Sequence, residues 1–432
     1  APSRLLRAES WQAGRGHAVS FAGLLMFTVV LYFRPQDYYP ALASAHIALV
    51  VASLTLAAFI PSQLAAEGTL TARPREVNLA LLLCAAVALS VPLAIDRALA
   101  LDAFWESCAK SVITFIFIVN IVRTERRLKL MLYLALAITL LLCLMALNDY
   151  RLGNLTVEGY RVQGKSTGGM FENTNDLAIH LVTMLPLAVG LGLAGRGLVR
   201  KLLFGACAAM ILATVVITFS RGAFLALLAS GVFMAWKFGR RRRAVVFGAL
   251  AATAAVFLAL APGEYWVRVA SIFDSSLDRY GSSTARTALL MRSVVATLAN
   301  PFLGVGIGNF VLTSPRAQVT HNAYTQVSAE AGVVASIIYT MFIVAPLKRL
   351  RLIEQETRAE RRPTQFYYLA VGLQASLVAY MVSSFFASVA FYLYIYYLVG
   401  YAVCLRRLYL AAGERKGAAG AGVAGPAEAG AV

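Results

Sequence analysis

Long runs of apolar residues, separated by short polar stretches, fill most of this chain of 432 residues. A helix needs about 20 apolar residues to cross a bilayer, and several runs approach that length. The runs are continuous rather than alternating, which favours helices over a membrane barrel. The pattern therefore predicts an all-α, polytopic integral membrane protein. We expect twelve spans, at residues 18–33, 41–60, 77–95, 107–122, 128–147, 176–194, 199–218, 221–236, 243–261, 322–346, 365–384 and 386–405.

Basic residues fall unevenly on the two sides of this predicted bundle. The chain has 39 lysines and arginines against 21 aspartates and glutamates, a formal net charge of +18. With twelve spans, most of the basic residues lie in short loops on the side that holds both termini. Short cytoplasmic loops carry an excess of lysine and arginine, so this side is predicted to be cytoplasmic. Topology explains the charge, and we expect no nucleic acid partner.

The spans divide the chain into four parts. Residues 1–261 hold the first nine spans and a short external segment at 148–175. Residues 262–321 form a large external loop, and connections of this length are usually functional or disordered. Residues 322–405 hold the last three spans. The Gly/Ala-rich segment 406–432 is predicted to be a disordered cytoplasmic tail.

The chain shows no pattern typical of a metal or cofactor site. Its five cysteines are scattered, without CxxC spacing, and HExxH and Walker sequences are missing. We therefore expect no metal and no cofactor.

Arg221 stands between two long apolar runs with almost no loop around it. It must therefore lie at the external membrane boundary, in the first turn of the eighth span, with Ser220 as a plausible N-cap. A guanidinium at a helix N-terminus is a good anion site. The plainer interpretation is an arginine that reaches to lipid headgroups.

Arg286 lies in a segment with caps before it and Pro301 after it. Apolar residues such as Leu289 and Leu298 recur there at helical spacing. The segment is predicted to be an amphipathic helix that lies on the membrane. Two interpretations of Arg286 stay open: it lies on the water-facing side of this helix, or it binds the phosphate of a ligand.

His321 begins the tenth span, directly after the large external loop. The positive end of that helix would keep the imidazole neutral, as a general base requires. Glu330 follows nine residues later, on the opposite helix face, so we do not expect it to be the partner of His321. The other histidines are interpreted as structural: His17, His46 and His180.

Spans six, eight and ten all begin on the external side, so three helix N-termini could face one cavity. Asn175 lies at the entrance of span six, and Arg161 and Lys165 lie just upstream, where ordinary loop cations are an equal alternative. The glycine cluster 304–308 lacks the strand–helix unit of a dinucleotide site. The simpler interpretation is that these glycines let the chain turn sharply back into the membrane.

Together these motifs resemble the O-antigen ligase/polymerase family of bacterial envelope proteins. The resemblance covers about residues 160–335. This chain has Thr174 where the family pattern usually has proline, which affects the loop shape. The motifs that carry the resemblance are Phe171-Glu172-Asn173-Thr174-Asn175, Ser220-Arg221-Gly222, Arg286, Asn300-Pro301-Phe302-Leu303-Gly304-Val305-Gly306, His321-Asn322-Ala323-Tyr324 and Glu330-Ala331-Gly332.

The resemblance implies a GT-C-type glycosyltransferase of the bacterial inner membrane, acting on the periplasmic side. Such enzymes move a glycan from undecaprenyl pyrophosphate to an acceptor, which for the ligase is a sugar of lipid A–core. His321 would activate the acceptor hydroxyl, and Arg221 and Arg286 would bind the pyrophosphate, with inversion and without a metal. Residues expected to bind substrate are Arg161, Lys165, Asn175, Asn322 and Tyr324.

Two alternatives within the family stay open: an O-antigen polymerase and a protein O-oligosaccharyltransferase. A transporter of lipid-linked sugars is the alternative from a different class. Transporters carry polar residues deep along a path through the bilayer. Here the ionisable residues cluster at one face, which favours chemistry at a surface.

Overall fold

The computed structural model describes residues 16–33, 39, 46–156, 159–162, 171, 173–195, 197–239, 248, 263–271, 281–314, 317–358 and 364–421. These ranges contain helices and no strand, apart from one isolated antiparallel bridge between Leu155 and Val162. The predicted all-α class is confirmed. The α-helices, numbered in chain order, are α1 (Ala18–Phe33), α2 (Ile47–Glu67), α3 (Arg75–Ser90), α4 (Arg97–Ala103), α5 (Lys110–Ile121), α6 (Glu125–Arg151), α7 (Thr174–Ala194), α8 (Leu198–Ile217), α9 (Arg221–Gly239), α10 (Gly263–Ala270), α11 (Ser282–Ala299), α12 (Phe310–Thr313), α13 (Ala323–Arg358), α14 (Gln365–Ser383) and α15 (Leu393–Ala421).

Nine helical stretches in the described part of the chain are long and apolar enough to cross a membrane. The helix α1 is apolar but shorter, with 16 residues. Of the predicted span 243–261, the structure describes residue 248 alone, so this span is not tested. The protein is therefore a multi-pass membrane protein, and the count of twelve stays a prediction. The nine stretches are Ile47–Glu67, Arg75–Leu93, Arg97–Ile121, Glu125–Arg151, Thr174–Ala194, Leu198–Ile217, Arg221–Gly239, Ala323–Arg358 and Gln365–Phe386.

The second predicted span, 41–60, begins and ends too early in the chain, and the residues after position 60 include polar side chains. The helix α2 instead runs from Ile47 to Glu67. The Arg123 guanidinium donates to Gln63 Oε1 at 2.7 Å and to Glu67 Oε1 at 2.8 Å. These two bonds satisfy the polar end of the helix, which continues to the αL cap at Gly68.

The last span is predicted at 386–405, whereas the helix α15 begins later, at Leu393. Neighbouring side chains satisfy the irregular backbone before it: Ser111 Oγ donates to Phe391 O at 2.7 Å, and Tyr380 Oη donates to Val389 O at 3.2 Å. Within the hydrocarbon region of a membrane, irregular backbone is tolerated only where protein groups or water satisfy its hydrogen bonds.

The expected disorder from residue 406 is wrong for the first part of the tail, because α15 continues to Ala421. Alanine, leucine, glutamate, lysine and arginine dominate residues 408–418, and all are good helix formers. Residues 422–432 lie outside the described part.

The helix α14 forms the centre of the bundle and packs against α7, α9, α13 and α15. Its approach to α7 depends on two glycines. A Cβ at Gly372 would lie 3.1 Å from Pro186 O, and one at Gly190 would lie 3.0 Å from Tyr368 O. Small residues let membrane helices approach closely, so these glycines set the α7–α14 distance.

The helix α13 is broken near its start, at Gly332, whose φ is 88°. The turn at residues 301–306 satisfies the backbone at the break. Val305 N donates to Ala329 O at 2.8 Å, Gly306 N donates to Glu330 O at 3.0 Å, and Val333 N donates to Pro301 O at 2.8 Å. The turn that follows α11 is thereby joined to α13, which places these two helices side by side.

Candidate active site

An open cavity of about 240 Å³ lies between the start of α9, the start of α13 and one side of α11. Two phenylalanines that follow α14 form another part of its wall. The three residues predicted to be catalytic all line this cavity, although 100 positions separate the first from the last. Its lining is Arg221, Leu225, Ser271, Arg286, Thr287, Leu290, Thr320, His321, Asn322, Phe385 and Phe386.

Arg221 opens α9, as the apolar runs around it predicted. The expected N-cap is present: Ser220 Oγ accepts a hydrogen bond from Ala223 N at 3.4 Å. The Arg221 guanidinium donates to Ser271 Oγ at 2.8 Å, directly after α10. A Cβ at Gly222 would lie 2.9 Å from Phe386 Cβ, so this glycine lets the cavity wall approach the arginine. The arginine is therefore held at a helix N-terminus, where it lines the cavity.

Arg286 lies in the second turn of α11 and is half-buried. The predicted helix around it is confirmed. A hydrogen bond of 2.9 Å between Thr297 Oγ1 and Ser328 Oγ attaches α11 to α13. This attachment brings Arg286 near His321, whose pKa its charge lowers.

His321 lies two residues before the start of α13, in a left-handed backbone conformation with φ 53°. Ser388 holds it there, because Ser388 Oγ accepts from His321 N at 2.8 Å and bonds Thr320 Oγ1 at 2.8 Å. Burial, and then the charge of Arg286, lower the pKa of the imidazole from 6.5 to about 4. The ring is therefore neutral at pH 7, as expected, with burial as the main cause.

Asn322 caps α13 and also faces the cavity. Its Oδ1 accepts from Tyr324 N at 2.9 Å and from Thr325 N at 3.1 Å. Its Nδ2 is buried and has no hydrogen-bond partner among the described residues. A buried donor without a partner is costly, so a ligand oxygen bound in the cavity would stabilise it.

Three other residues predicted to bind substrate do not line this cavity: Arg161, Asn175 and Tyr324. Arg161 is buried, and its guanidinium donates to Thr218 O at 3.0 Å and to Asn175 Oδ1 at 2.9 Å. These bonds join the C-terminal end of α8 to the start of α7. Tyr324 Oη donates to Met381 O at 3.1 Å, towards the end of α14. Lys165 lies outside the described residues.

Two of the three helix N-termini expected at one cavity reach it. The starts of α9 and α13 line the cavity, whereas the start of α7 does not. Asn173 caps α7 by accepting from Asn175 N at 2.9 Å, and Arg161 covers the same helix end. Protein groups thus occupy the terminus that was expected to bind substrate.

Ser271, Ser388 and the pair Phe385–Phe386 were missed by the sequence interpretation. Each contacts a predicted catalytic residue or forms the wall beside one. A serine that follows a short amphipathic segment and two phenylalanines in an apolar run carry no local signal. Their roles come from partners that lie 50 or more positions away in the chain.

The remaining ionisable candidates lie apart from the cavity. Glu330 is 4% exposed and does not line it, in agreement with its predicted separation from His321. His180 packs against Phe171 and Tyr32, and His17 stacks on Phe59. These two histidines are core residues, as expected.

The fold and the cavity together define a polytopic α-helical membrane protein with two guanidiniums and a neutral imidazole around one open site. Residues 206–340 match the family model described as O-antigen ligase. The chain therefore carries a domain of the O-antigen ligase family, and this domain contains Arg221, Arg286 and His321. The family implies a bacterial enzyme that ligates or polymerises lipid-linked O-antigen, with lipid-linked polysaccharides as substrates. Comparison with curated proteins gave no match.

Proposed function

We propose that the protein transfers O-antigen polysaccharide from undecaprenyl pyrophosphate to a sugar hydroxyl of lipid A–core, on the periplasmic side of the inner membrane. The observation that carries this proposal is the convergence of Arg221, Arg286 and His321 on one cavity. A neutral base beside two fixed cations matches a reaction that removes a proton at one point and releases a diphosphate at another.

The two arginines provide the binding site for the pyrophosphate. Guanidiniums bind phosphate oxygens in a bidentate manner, and the N-terminus of α9 adds the positive end of its helix dipole beside Arg221. No carboxylate is among the described residues that line the cavity. The cavity is therefore positively charged and suited to an anionic ligand. The buried Nδ2 of Asn322 is placed to donate to an oxygen of the sugar or the diphosphate.

The reaction we propose is a direct displacement. The acceptor hydroxyl oxygen bonds to the anomeric carbon while the bond from that carbon to the pyrophosphate oxygen breaks, with inversion at the carbon. His321 takes the hydroxyl proton. Arg221 and Arg286 stabilise the negative charge on the departing undecaprenyl pyrophosphate, which is the role of a divalent ion in many phosphate-releasing enzymes. We therefore propose a metal-independent reaction.

Donor binding would also strengthen the base. An imidazole with a pKa of about 4 is a weak base at neutral pH. The negative charge of a pyrophosphate offsets the charge of Arg286 and raises the pKa of His321. The free enzyme thus keeps the imidazole unprotonated, and the donor brings its pKa closer to the working pH.

The test is transfer by the purified protein in detergent, with undecaprenyl-pyrophosphate-linked O-antigen, lipid A–core and EDTA. Glycan attached to lipid A–core supports the ligase, and its loss in EDTA would overturn metal independence. Longer lipid-linked glycan without lipid A–core product would identify a polymerase instead. Product formed without a sealed compartment excludes transport as the sole function.

A further inference from the structure

The C-terminal half of α11 exposes a stripe of large apolar side chains. Met291, Val295 and Leu298 recur every three or four residues, and Phe302 follows in the turn after the helix. Their exposed fractions are 61%, 63%, 74% and 79%. The helix α11 is not among the nine candidate spans, so spanning a bilayer does not explain this exposure. An apolar patch of this kind marks a protein or membrane contact.

The opposite face of α11 is fixed against the bundle. Leu289 and Ser293 are buried, and Thr297 bonds Ser328 in the second turn of α13. The orientation of α11 about its own axis is therefore set. The stripe must point away from the protein, and a small rotation cannot bury it.

The stripe is continuous with the exposed apolar surface of a spanning helix. The turn that holds Phe302 is hydrogen-bonded to α13, since Val333 N donates to Pro301 O at 2.8 Å. After this point in the chain, α13 exposes Val333, Val334 and Ile337, whose exposed fractions are 41%, 56% and 55%. Because α13 is a candidate membrane span, these side chains face lipid. One apolar surface thus runs from the lipid-facing side of α13, through Phe302, onto α11.

We propose that α11 lies in the membrane interface, with Met291, Val295, Leu298 and Phe302 inserted among lipid chains. Amphipathic helices bury an apolar face in this manner at the boundary of headgroups and acyl chains. A lipid occupant is favoured over a second protein copy because the stripe continues a surface that lipid already covers. Arg286 lies on a different face of the same helix from the apolar stripe. In this orientation it lies at the depth of the headgroup phosphates. The cavity would receive an anionic lipid headgroup directly from this leaflet.

The test places an environment-sensitive fluorophore on Leu298→Cys in the full chain, reconstituted in lipid vesicles. The matched control is Ala285→Cys, which is exposed on the same helix but about 140° away around it. Unsubstituted protein reports background labelling of its own cysteines, of which four are buried and Cys84 is half-buried. Two quenchers are compared: a nitroxide on the lipid chain and aqueous iodide.

At residue 298 we expect emission at shorter wavelength than at residue 285, strong quenching by the lipid nitroxide and weak quenching by iodide. Stronger quenching by iodide at residue 298 would overturn the proposal. So would disulfide cross-linking of Leu298→Cys between two copies, combined with protection from both quenchers. The measurement uses no transfer reaction, so its failure leaves the proposed function untouched.

Discussion

At the scale of single residues, His321 combines an uncommon backbone with an unusual protonation state. Its φ of 53° lies in the left-handed region, which asparagine tolerates better than most residues. Its imidazole stays neutral because of burial and Arg286. A substitution by asparagine therefore removes the base while keeping the backbone conformation. This makes it a cleaner test than alanine.

We expect His321→Asn to lower the turnover number by about 10²- to 10⁴-fold, the usual contribution of a general base. Donor affinity should change little, because the arginines hold the pyrophosphate. Single-turnover transfer and donor binding, measured on the same preparation, check this. Loss of donor binding with unchanged chemistry would show that His321 binds the donor and does not act as a base.

The pH dependence of transfer should report the lowered pKa of His321. Protonated imidazole cannot accept a proton, so activity is lost as pH falls through the pKa. We expect kcat/KM for the donor, which reflects the free enzyme, to stay level from pH 7 to about 5 and to fall near pH 4. Removing a positive charge raises the pKa of a neighbouring base, so Arg286→Gln should move this fall to higher pH. A wild-type fall near pH 6.5, or no movement in Arg286→Gln, would contradict the assignment.

At the scale of elements, the turn at residues 304–308 is the joint between α11, α13 and the segment before α4. A Cβ at Gly304 would lie 2.4 Å from Glu330 C, and a Cβ at Gly306 would lie 2.2 Å from Ala94 Cβ. Asn309 extends the joint by accepting from Asp96 N at 2.6 Å. The turn therefore fixes the position of α11, and with it the position of Arg286 relative to His321.

We expect Gly304→Ala to lower both thermal stability and transfer activity. The control is Gly281→Ala, because Gly281 also has positive φ, 62°, but no atom of the described residues lies within 4 Å of its added Cβ. Left-handed strain of about 1–2 kcal/mol is common to both variants, so the excess loss in Gly304→Ala measures packing against α13. The two readouts are the temperature of thermal unfolding and the dependence of transfer activity on pH on the acid side of its profile. Equal behaviour of the two variants would show that the turn positions nothing.

Sequence patterns indicated this turn but not its partners. A cluster of glycines after a helix predicts a sharp reversal. The structure confirms one at residues 304–308, where all three glycines have positive φ. The contacts that give it a role involve Ala94 and residues 329–331, which only the tertiary fold brings close. In the same way, the sequence predicts that Arg161 binds substrate. In the structure its bonds to Thr218 and Asn175 join two helix ends. Local pattern cannot separate a ligand-binding arginine from one that satisfies backbone carbonyls.

At the scale of the whole molecule, apolar runs predicted helices well and their ends poorly. The tenth span is predicted at 322–346, whereas the helix α13 continues to Arg358, with Leu350 and Ile353 buried. Its charged residues suggested a loop. Partners such as Lys237, which donates to Glu354 at 2.5 Å, instead retain them in the helix. The membrane boundary and the helix end are set by different forces, so one cannot be read from the other.

The charge asymmetry predicts that residue 318, near His321, is periplasmic and that the loop before α6 is cytoplasmic. Gln318 and Arg126 are both exposed and suit cysteine labelling. In cells with a permeabilised outer membrane, an impermeant maleimide should label Gln318→Cys. It should label Arg126→Cys only after lysis of the inner membrane. The reverse pattern would place the cavity on the cytoplasmic side and remove lipid A–core as its acceptor.

The most direct measurement is an experimental structure with an unreactive undecaprenyl-pyrophosphate glycan bound. We expect the pyrophosphate between Arg221 and Arg286, and the anomeric carbon facing His321 across the space where an acceptor hydroxyl would fit. A pyrophosphate held elsewhere, such as beside Arg161 and Asn175, would contradict the proposed site even if transfer activity were confirmed.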